Sequence, residues 1–335
     1  MVNPPANCTF TSSDWQILSQ FWYPIALIRE VKDKPITTKL LDQDLVIWRS
    51  AAGITVAADR CPHRGVPLSM GHLQAEHLIC AYHGLHYNSA GQCTHIPAHP
   101  GASAPSQMCL TTYPSIEAYG LVWTSLTGRG SPALPDFPEW NNPHYQQILP
   151  DSVLLQTSAG RQMEGFLDVA HFAWVHTETF GNANNPVVPS YEVTATDRGL
   201  IADYFSTVSN FPKALQHLGP EGFEWQRRFE VFLPFSARLT VHFPGHDRLC
   251  ILNLALPMTS QTCRMFVSIC RNFDQQASLE PVYAFNHQVF VEDKVMIEAQ
   301  HPKELPLDIR AEAHIQADRT SILYRKGLLN IGLGL

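Results

Sequence analysis

Two short cysteine–histidine segments carry the clearest chemistry in this sequence. Cys61-Pro62-His63-Arg64-Gly65 is followed, after an intervening stretch, by Cys80-Ala81-Tyr82-His83-Gly84. Each segment offers one thiolate and one imidazole on a tight turn, and the internal spacing differs between them. Zinc fingers pair cysteine with cysteine and histidine with histidine, whereas each loop here holds one of each. The mixed set suits a [2Fe–2S] cluster in which two thiolates hold one iron and two neutral imidazoles hold the other. A structural zinc is the competing reading. Gly65, Gly71 and Gly84 let the two loops fold closely around such a group.

A second constellation lies in the other half of the chain. The run from Arg161 to Val175 has the periodicity of a helix, with Glu164, Asp168 and His171 at spacings that share one face. His176 follows five residues after His171, so both reach one ion only if the helix ends or bulges between them. A carboxylate would complete a facial triad of two histidines and one acid, which suits non-haem iron and leaves positions open. The late helical segment offers Glu292 and Asp293. Asp293 is chosen because Val289, Phe290, Met296 and Ile297 surround it at helical spacing, an apolar setting that a bare carboxylate tolerates poorly. Glu292, with Gln288 beside it, has the more amphipathic setting. The bland alternatives are a polar helix face and a solvent-reaching edge residue.

The elements that must position these residues divide into two lobes. A short helix is expected over Ser12–Gln20, then a small antiparallel β domain over about 20–125. Within it Leu45–Trp48 and Ile54–Ala58 form a hairpin turning at Ala52-Gly53. The Gly-, Pro- and Asn-rich stretch that includes Gly128, Gly130, Pro132, Pro135 and Pro138 reads as a linker, placed at 126–148. The second lobe, 149–335, is expected to hold the helix near Arg161, strands from about Tyr191 to Arg271 and a helix over Pro281–Gln300. The fold class is α+β. His86, His95 and His99 read as surface or loop histidines, and Cys93 and Cys109 as buried thiols. Tyr204, Phe205, Phe223, Trp225, Leu254 and Asn286 are core residues that could line a substrate pocket.

Length and composition agree with this division. The 335 residues suit two lobes rather than one, and 45% hydrophobic against 16% charged residues suits globular cores. A formal charge of −7 without Lys/Arg runs argues against nucleic-acid or anionic-membrane partners. No membrane-spanning apolar run or secretory signal stands out, and eight scattered cysteines fit a reducing, cytoplasmic compartment. No nicotinamide- or flavin-binding glycine motif is visible.

The two constellations, in this order, make the chain resemble the Rieske non-haem iron oxygenases over nearly its entire length. It looks most like the single-subunit type that includes dicamba O-demethylase and the bacterial caffeine N-demethylases. Val291-Glu292-Asp293-Lys294, Ala317-Asp318-Arg319 and Tyr324-Arg325-Lys326 are particularly similar to the latter. Ile36-Thr37-Thr38, Ile96-Pro97-Ala98-His99-Pro100 and Phe137-Pro138-Glu139-Trp140 resemble segments of saxitoxin-pathway hydroxylases. The resemblance implies an N-terminal Rieske domain and a C-terminal helix-grip-like catalytic domain, with the N-terminal helix free to pack on the latter.

It also implies Cys61, His63, Cys80 and His83 as cluster ligands and His171, His176 and Asp293 as ligands of a mononuclear Fe(II). Asp168 matches the aspartate that bridges the two centres between neighbouring subunits of a head-to-tail homotrimer, reaching His83 of the adjacent copy. Gly165 stands where the family often has Asn. The implied activity is monooxygenation with O₂: hydroxylation of a C–H bond in a small polar heterocyclic or natural-product-like substrate. The alternative is oxidative N- or O-demethylation of a methylated (hetero)aromatic. Aromatic-ring dihydroxylation and a non-catalytic Rieske electron carrier rank lower. Electrons would come from NAD(P)H through a separate ferredoxin, flavin reductase or both.

Overall fold

The computed structural model describes residues 3–127, 133–207, 218–220 and 222–334. Gly128, Gly130 and Pro132 of the expected linker lie outside them. The chain divides into two compact units, Met1–Leu134 and Pro135–Leu335.

The first unit opens with α1 (Ser12–Leu18), whose N-cap is Thr11. The Thr11 side chain accepts from the Asp14 amide, and the helix starts at Ser12, as expected, but ends two residues short of Gln20. Trp15 anchors the helix inside this unit, its indole N–H donating to the Leu41 carbonyl. Eleven short strands follow: β1 (Tyr23–Leu27), β2 (Ile36–Leu40), β3 (Gln43–Ser50), β4 (Gly53–Ala58), β5 (His72–Gln74), β6 (His77–Ile79), β7 (His86–Tyr87), β8 (Cys93–His95), β9 (Thr112–Tyr113), β10 (Ser115–Ala118) and β11 (Leu121–Thr124). They form three antiparallel sheets, ordered β1-β11-β10, β2-β3-β4-β9 and β5-β6-β7-β8. The expected hairpin is β3–β4, pairing Trp48 with Thr55.

Val46, Trp48, Leu68, Leu78, Leu85 and Tyr87 form a buried cluster that also contains Cys61 and Cys80. Each large apolar side chain there contributes about 1.5–3 kcal/mol by leaving water. Against expectation, Cys109 is exposed and Cys93 only half-buried.

The second unit is built on one antiparallel sheet. Its strands are β12 (Gln146–Ile148), β13 (Val153–Leu155), β14 (Glu192–Thr196), β15 (Gly199–Ser206), β16 (Trp225–Phe232), β17 (Ser236–His242), β18 (Arg248–Thr259) and β19 (Thr262–Arg271). Their order is β12-β19-β18-β17-β16-β15-β14, with β13 also pairing β19. β12 falls within the stretch read as linker, so that stretch already contributes a strand to this sheet.

The helices are α2 (Ala159–Leu167), α3 (Phe172–Val175), α4 (Glu280–Ala299) and α5 (Arg319–Asn330). Among the described residues, no helix is long and apolar enough to cross a membrane. Alternation along the strands gives the sheet one apolar face: Phe229, Leu239, Ile251 and Ile269 stand in one cross-strand row, and Arg227, Val241, Leu249 and Arg271 in the next.

Candidate active site

In the first unit the two cysteine–histidine segments fold as matching loops. The Cys61 amide donates to Val66 and the Gly65 amide back to Cys61; likewise Cys80 donates to Leu85 and Gly84 to Cys80. Both loops close on a glycine of positive φ, +75° at Gly65 and +65° at Gly84, a conformation that costs other residues more. The thiols lie inside, Cys61 at 2% and Cys80 at 1% exposure, whereas His63 and His83 are exposed. Burial raises the Cys80 thiol, opposed by the Tyr82 amide, and the neighbouring Cys61 raises it further.

Across the gap His63 Nδ1 faces His83 Nδ1 at 3.2 Å. Two buried sulfurs on one side and two facing imidazole nitrogens on the other fit a [2Fe–2S] cluster with mixed ligands. The Tyr87 hydroxyl, 3.3 Å from Cys61 Sγ, can donate to that sulfur, a contact that sequence spacing did not suggest.

In the second unit the expected continuous helix breaks. Ser158 caps α2, its hydroxyl accepting from the Arg161 amide, and the helix stops at Leu167. Asp168 adopts an extended conformation, and its side chain accepts from the Ala170 amide at 2.7 Å. That local turn competes with helix continuation. Glu164, Asp168 and His171 therefore do not share one helix face. Glu164 instead pairs with Arg325 of α5 at 2.6 and 2.8 Å, within a buried network that includes Arg161 and Glu312.

The break is what lets both histidines converge. α3 is a single turn with His171 and His176 as its two caps. Their Nε2 atoms lie 3.1 Å apart, and Asp293 Oδ1 from α4 is 3.4 Å from His171 Nε2 and 3.1 Å from His176 Nε2. Among the described residues this is the only group of three such side chains whose ligand atoms converge. Two imidazoles and one carboxylate fit a mononuclear iron.

Burial opposes protonation of His171, but hydrogen bonds and charge from Asp168 and Asp293 outweigh it and raise its pKa to about 9. Burial likewise opposes ionisation of Asp293, yet the two histidines hold its carboxyl below the usual range. The trio attracts positive charge.

Glu292, weighed as the rival ligand, has another role. His176 Nδ1 donates to Glu292 Oε2 at 2.7 Å, and Thr179 donates to the same oxygen at 2.8 Å. This fixes the ring with Nε2 turned toward Asp293. Its signal in the sequence was the adjacent acid pair, of which Asp293 faces both histidines and Glu292 the far nitrogen of one. Asp168 Oδ2 lies 3.7 Å from His171 Nδ1 and is partly exposed.

The triad opens into a cavity of about 310 Å³ between the apolar sheet face and α2, α3 and α4. Phe166, Leu239, Ile251, Ile269, Val289 and Phe290 dominate its wall, with Gln162 and Asn253 as a hydrogen-bonded polar pair. Of the six pocket candidates from sequence, Asn286 lines this cavity. Leu254 and Trp225 are core, and Phe205 is exposed. Gly165 lines it too: a Cβ there would meet Ile297 Cδ1 at 3.0 Å, so Ile297 fills the space beside the glycine.

Comparison with known proteins agrees with both centres. Residues 21–114 match the Rieske [2Fe-2S] domain, and residues 155–331 match the vanillate O-demethylase oxygenase C-terminal domain. Methylxanthine N1-demethylase NdmA of Pseudomonas putida is 31% identical over 326 residues, covering 93% of this chain and 89% of that protein. The oxygenase component of dicamba O-demethylase from Stenotrophomonas maltophilia is 28% identical, covering 83% and 86%. The solved structure of P. putida NdmA with caffeine superposes with a TM-score of 0.82 at 28% identity, over 94% of this chain and 91% of that one. The chain belongs to the Rieske non-haem iron oxygenases, enzymes that carry a [2Fe–2S] cluster and a mononuclear iron and receive their electrons from other components.

Proposed function

We propose that this oxygenase attacks a C–H bond of a methyl group on nitrogen or oxygen of a small, largely apolar ring substrate. The observation that carries the reading is the convergence of His171, His176 and Asp293 on the wall of a 310 Å³ cavity, close to the lower end for small-molecule sites. Hydroxylation leaving a stable alcohol was the first expectation. The demethylating activities in the names of the relatives bring the methyl-carbon alternative forward. The balance is the same for both: the substrate C–H becomes C–OH, the second oxygen atom leaves as water, and two electrons and two protons come from outside. At a methyl group the product then releases formaldehyde.

Cys61, Cys80, His63 and His83 would hold the cluster, and His171, His176 and Asp293 the iron. When bound, these groups supply electron delivery and O₂ activation. The chain supplies position and dryness. Glu292 and Thr179 hold His176 in one orientation, and the Asp168 carboxylate stands 3.7 Å behind His171 Nδ1. The apolar wall excludes bulk water from the reacting carbon, while Gln162 and Asn253 offer polar contacts that orient a ring.

His83 is exposed and Asp168 partly so, which supports a head-to-tail homotrimer in which Asp168 of one copy bonds His83 of the next. None of the eight cysteines is paired in a disulfide, in keeping with a cytoplasmic setting, and electrons would come through a separate ferredoxin or flavin reductase.

The test is a single-turnover assay on reduced, iron-loaded protein with N-methyl, O-methyl and unmethylated heterocycles under labelled O₂. Formaldehyde with a demethylated product supports the reading. A labelled, stable ring alcohol from unmethylated members alone returns it to simple hydroxylation.

A further inference from the structure

Four histidines of the first unit lie outside both iron centres yet stand on neighbouring strands. His72 is on β5, His77 on β6, His86 on β7 and His95 on β8. The register pairs His72 with Ile79, Ile79 with His86 and His86 with His95, so these share one face of the sheet. His77 lies two residues from Ile79 and joins the same face. The opposite face carries Leu73, Leu78 and Tyr87 into the apolar core. The histidine face is thus turned away from that core, with His72 and His95 exposed and His77 and His86 half-exposed.

We propose that His77, His86 and His95 form a surface site for one divalent transition-metal ion of the kind imidazole favours, such as zinc, copper or nickel. The geometry is that of a chelating pair with a third ligand alongside. The rings of His86 and His95 have centroids 4.9 Å apart, and those of His77 and His86 5.9 Å. For comparison, the rings of His171 and His176, whose Nε2 atoms are 3.1 Å apart, have centroids 5.1 Å apart. The directly paired cross-strand rings of His86 and His95 are therefore as close as those of His171 and His176; the ligand atoms of the three surface histidines do not converge as placed, and rotation of the half-exposed His77 side chain brings in the third ring.

The charge environment supports the same occupant. Burial lowers His86 below the ordinary histidine value, and His95, His77 and His72 lower it further. A neutral imidazole at His86 is the form that binds metal. Two of the strands flank the loop that presents Cys80 and His83, because β6 ends at Ile79 and β7 begins at His86. An ion bridging β6, β7 and β8 ties those strands together.

The test uses tag-free holoprotein with both iron centres loaded and the cluster oxidised. Zinc is titrated by calorimetry, and copper binding is read separately by electron paramagnetic resonance for nitrogen couplings. One further equivalent of zinc is expected, with copper showing imidazole nitrogens. His86→Gln and His95→Gln should each weaken zinc binding by at least about tenfold, since loss even of an outer partner typically costs 10–100-fold. His99→Gln, on an exposed turn outside the sheet, should leave it unchanged. Cluster absorption confirms that each variant is folded. His95→Gln lies at an exposed strand end, so it keeps the test meaningful if His86→Gln disturbs the strand. No binding beyond the mononuclear site, or equal zinc affinity in wild type and in folded His95→Gln, overturns the proposal.

Discussion

The His176 imidazole donates from Nδ1 to Glu292 while its Nε2 faces Asp293, so two adjacent residues of α4 grip opposite sides of one ring. On the proposed ligand set the helix would thereby supply both a carboxylate for the ion and a carboxylate for the ligand.

Replacing each acid separates these roles. Asp293→Ala should lose mononuclear iron outright. Glu292→Gln should lower iron affinity by about 10–100-fold, the usual cost of losing a carboxylate behind a metal-bound histidine. Iron content by metal analysis, with cluster absorption as an internal standard, checks both. Greater iron loss from Glu292→Gln would exchange the assignments.

His171→Ala should abolish turnover and leave the cluster spectrum intact, because the two centres are built from different units. Absorption and O₂ uptake on the same sample decide it. Disappearance of the cluster spectrum would refute separate sites.

Asp168→Asn should retain both metals but slow reoxidation of the reduced cluster in a single turnover, since on the proposed bridge a neutral amide would not accept from two metal-bound imidazoles as a carboxylate does. Stopped-flow absorbance follows this step. An unchanged rate would remove Asp168 from the electron path.

The buried network behind α2 should be sensitive to truncation and to acid. Arg325 is 2% exposed and bonds both Glu164 and Glu312. Arg325→Ala leaves those carboxylates without it and should cost about 3–5 kcal/mol, read by denaturant unfolding.

Burial raises Glu312, but hydrogen bonds and charge from Arg161 and Arg325 outweigh it and hold the group at about 2. A carboxyl held low in the folded state stabilises above its ordinary value of 4.5, and that contribution is lost as the pH falls toward 2. The wild type should therefore lose more stability between these values than Glu312→Gln, as thermal melts across the range would show.

Gly165→Asn restores the residue common in the family. Its Cβ would press on Ile297, so the variant should narrow the cavity and cost about 1–3 kcal/mol. Ile297→Ala in the same chain should relieve both effects, measured as melting temperature and as KM for any accepted substrate.

What could be read from the sequence was what lies close along the chain. The two cysteine–histidine loops announce themselves because each loop's ligands, turn glycine and hydrogen bonds fall within a few residues. The β3–β4 hairpin is equally local. The run from Arg161 to Val175 misled because its spacing fits a straight helix, while a hydrogen bond from the Ala170 amide to the Asp168 carboxylate decides otherwise. Glu292 was judged only as a rival to Asp293, since nothing nearby reveals that His176 and Thr179 will meet it. Glu164 finds Arg325 from the far end of the chain, a partner that periodicity cannot supply.

α4 has one buried residue, Ile297, along its twenty, and exposes Val291, Val295 and Met296. An element held by so few apolar contacts opens at lower free energy than the sheet beneath it. On the proposed ligand set the iron would be a clasp as well as a reagent, joining α4 through Asp293 to the histidines of α3. Iron loading should be legible far from any assay of turnover: amides of α4 should exchange hydrogen quickly in iron-stripped protein and slowly once Fe(II) is restored, while the β18–β19 pair exchanges at one pace throughout.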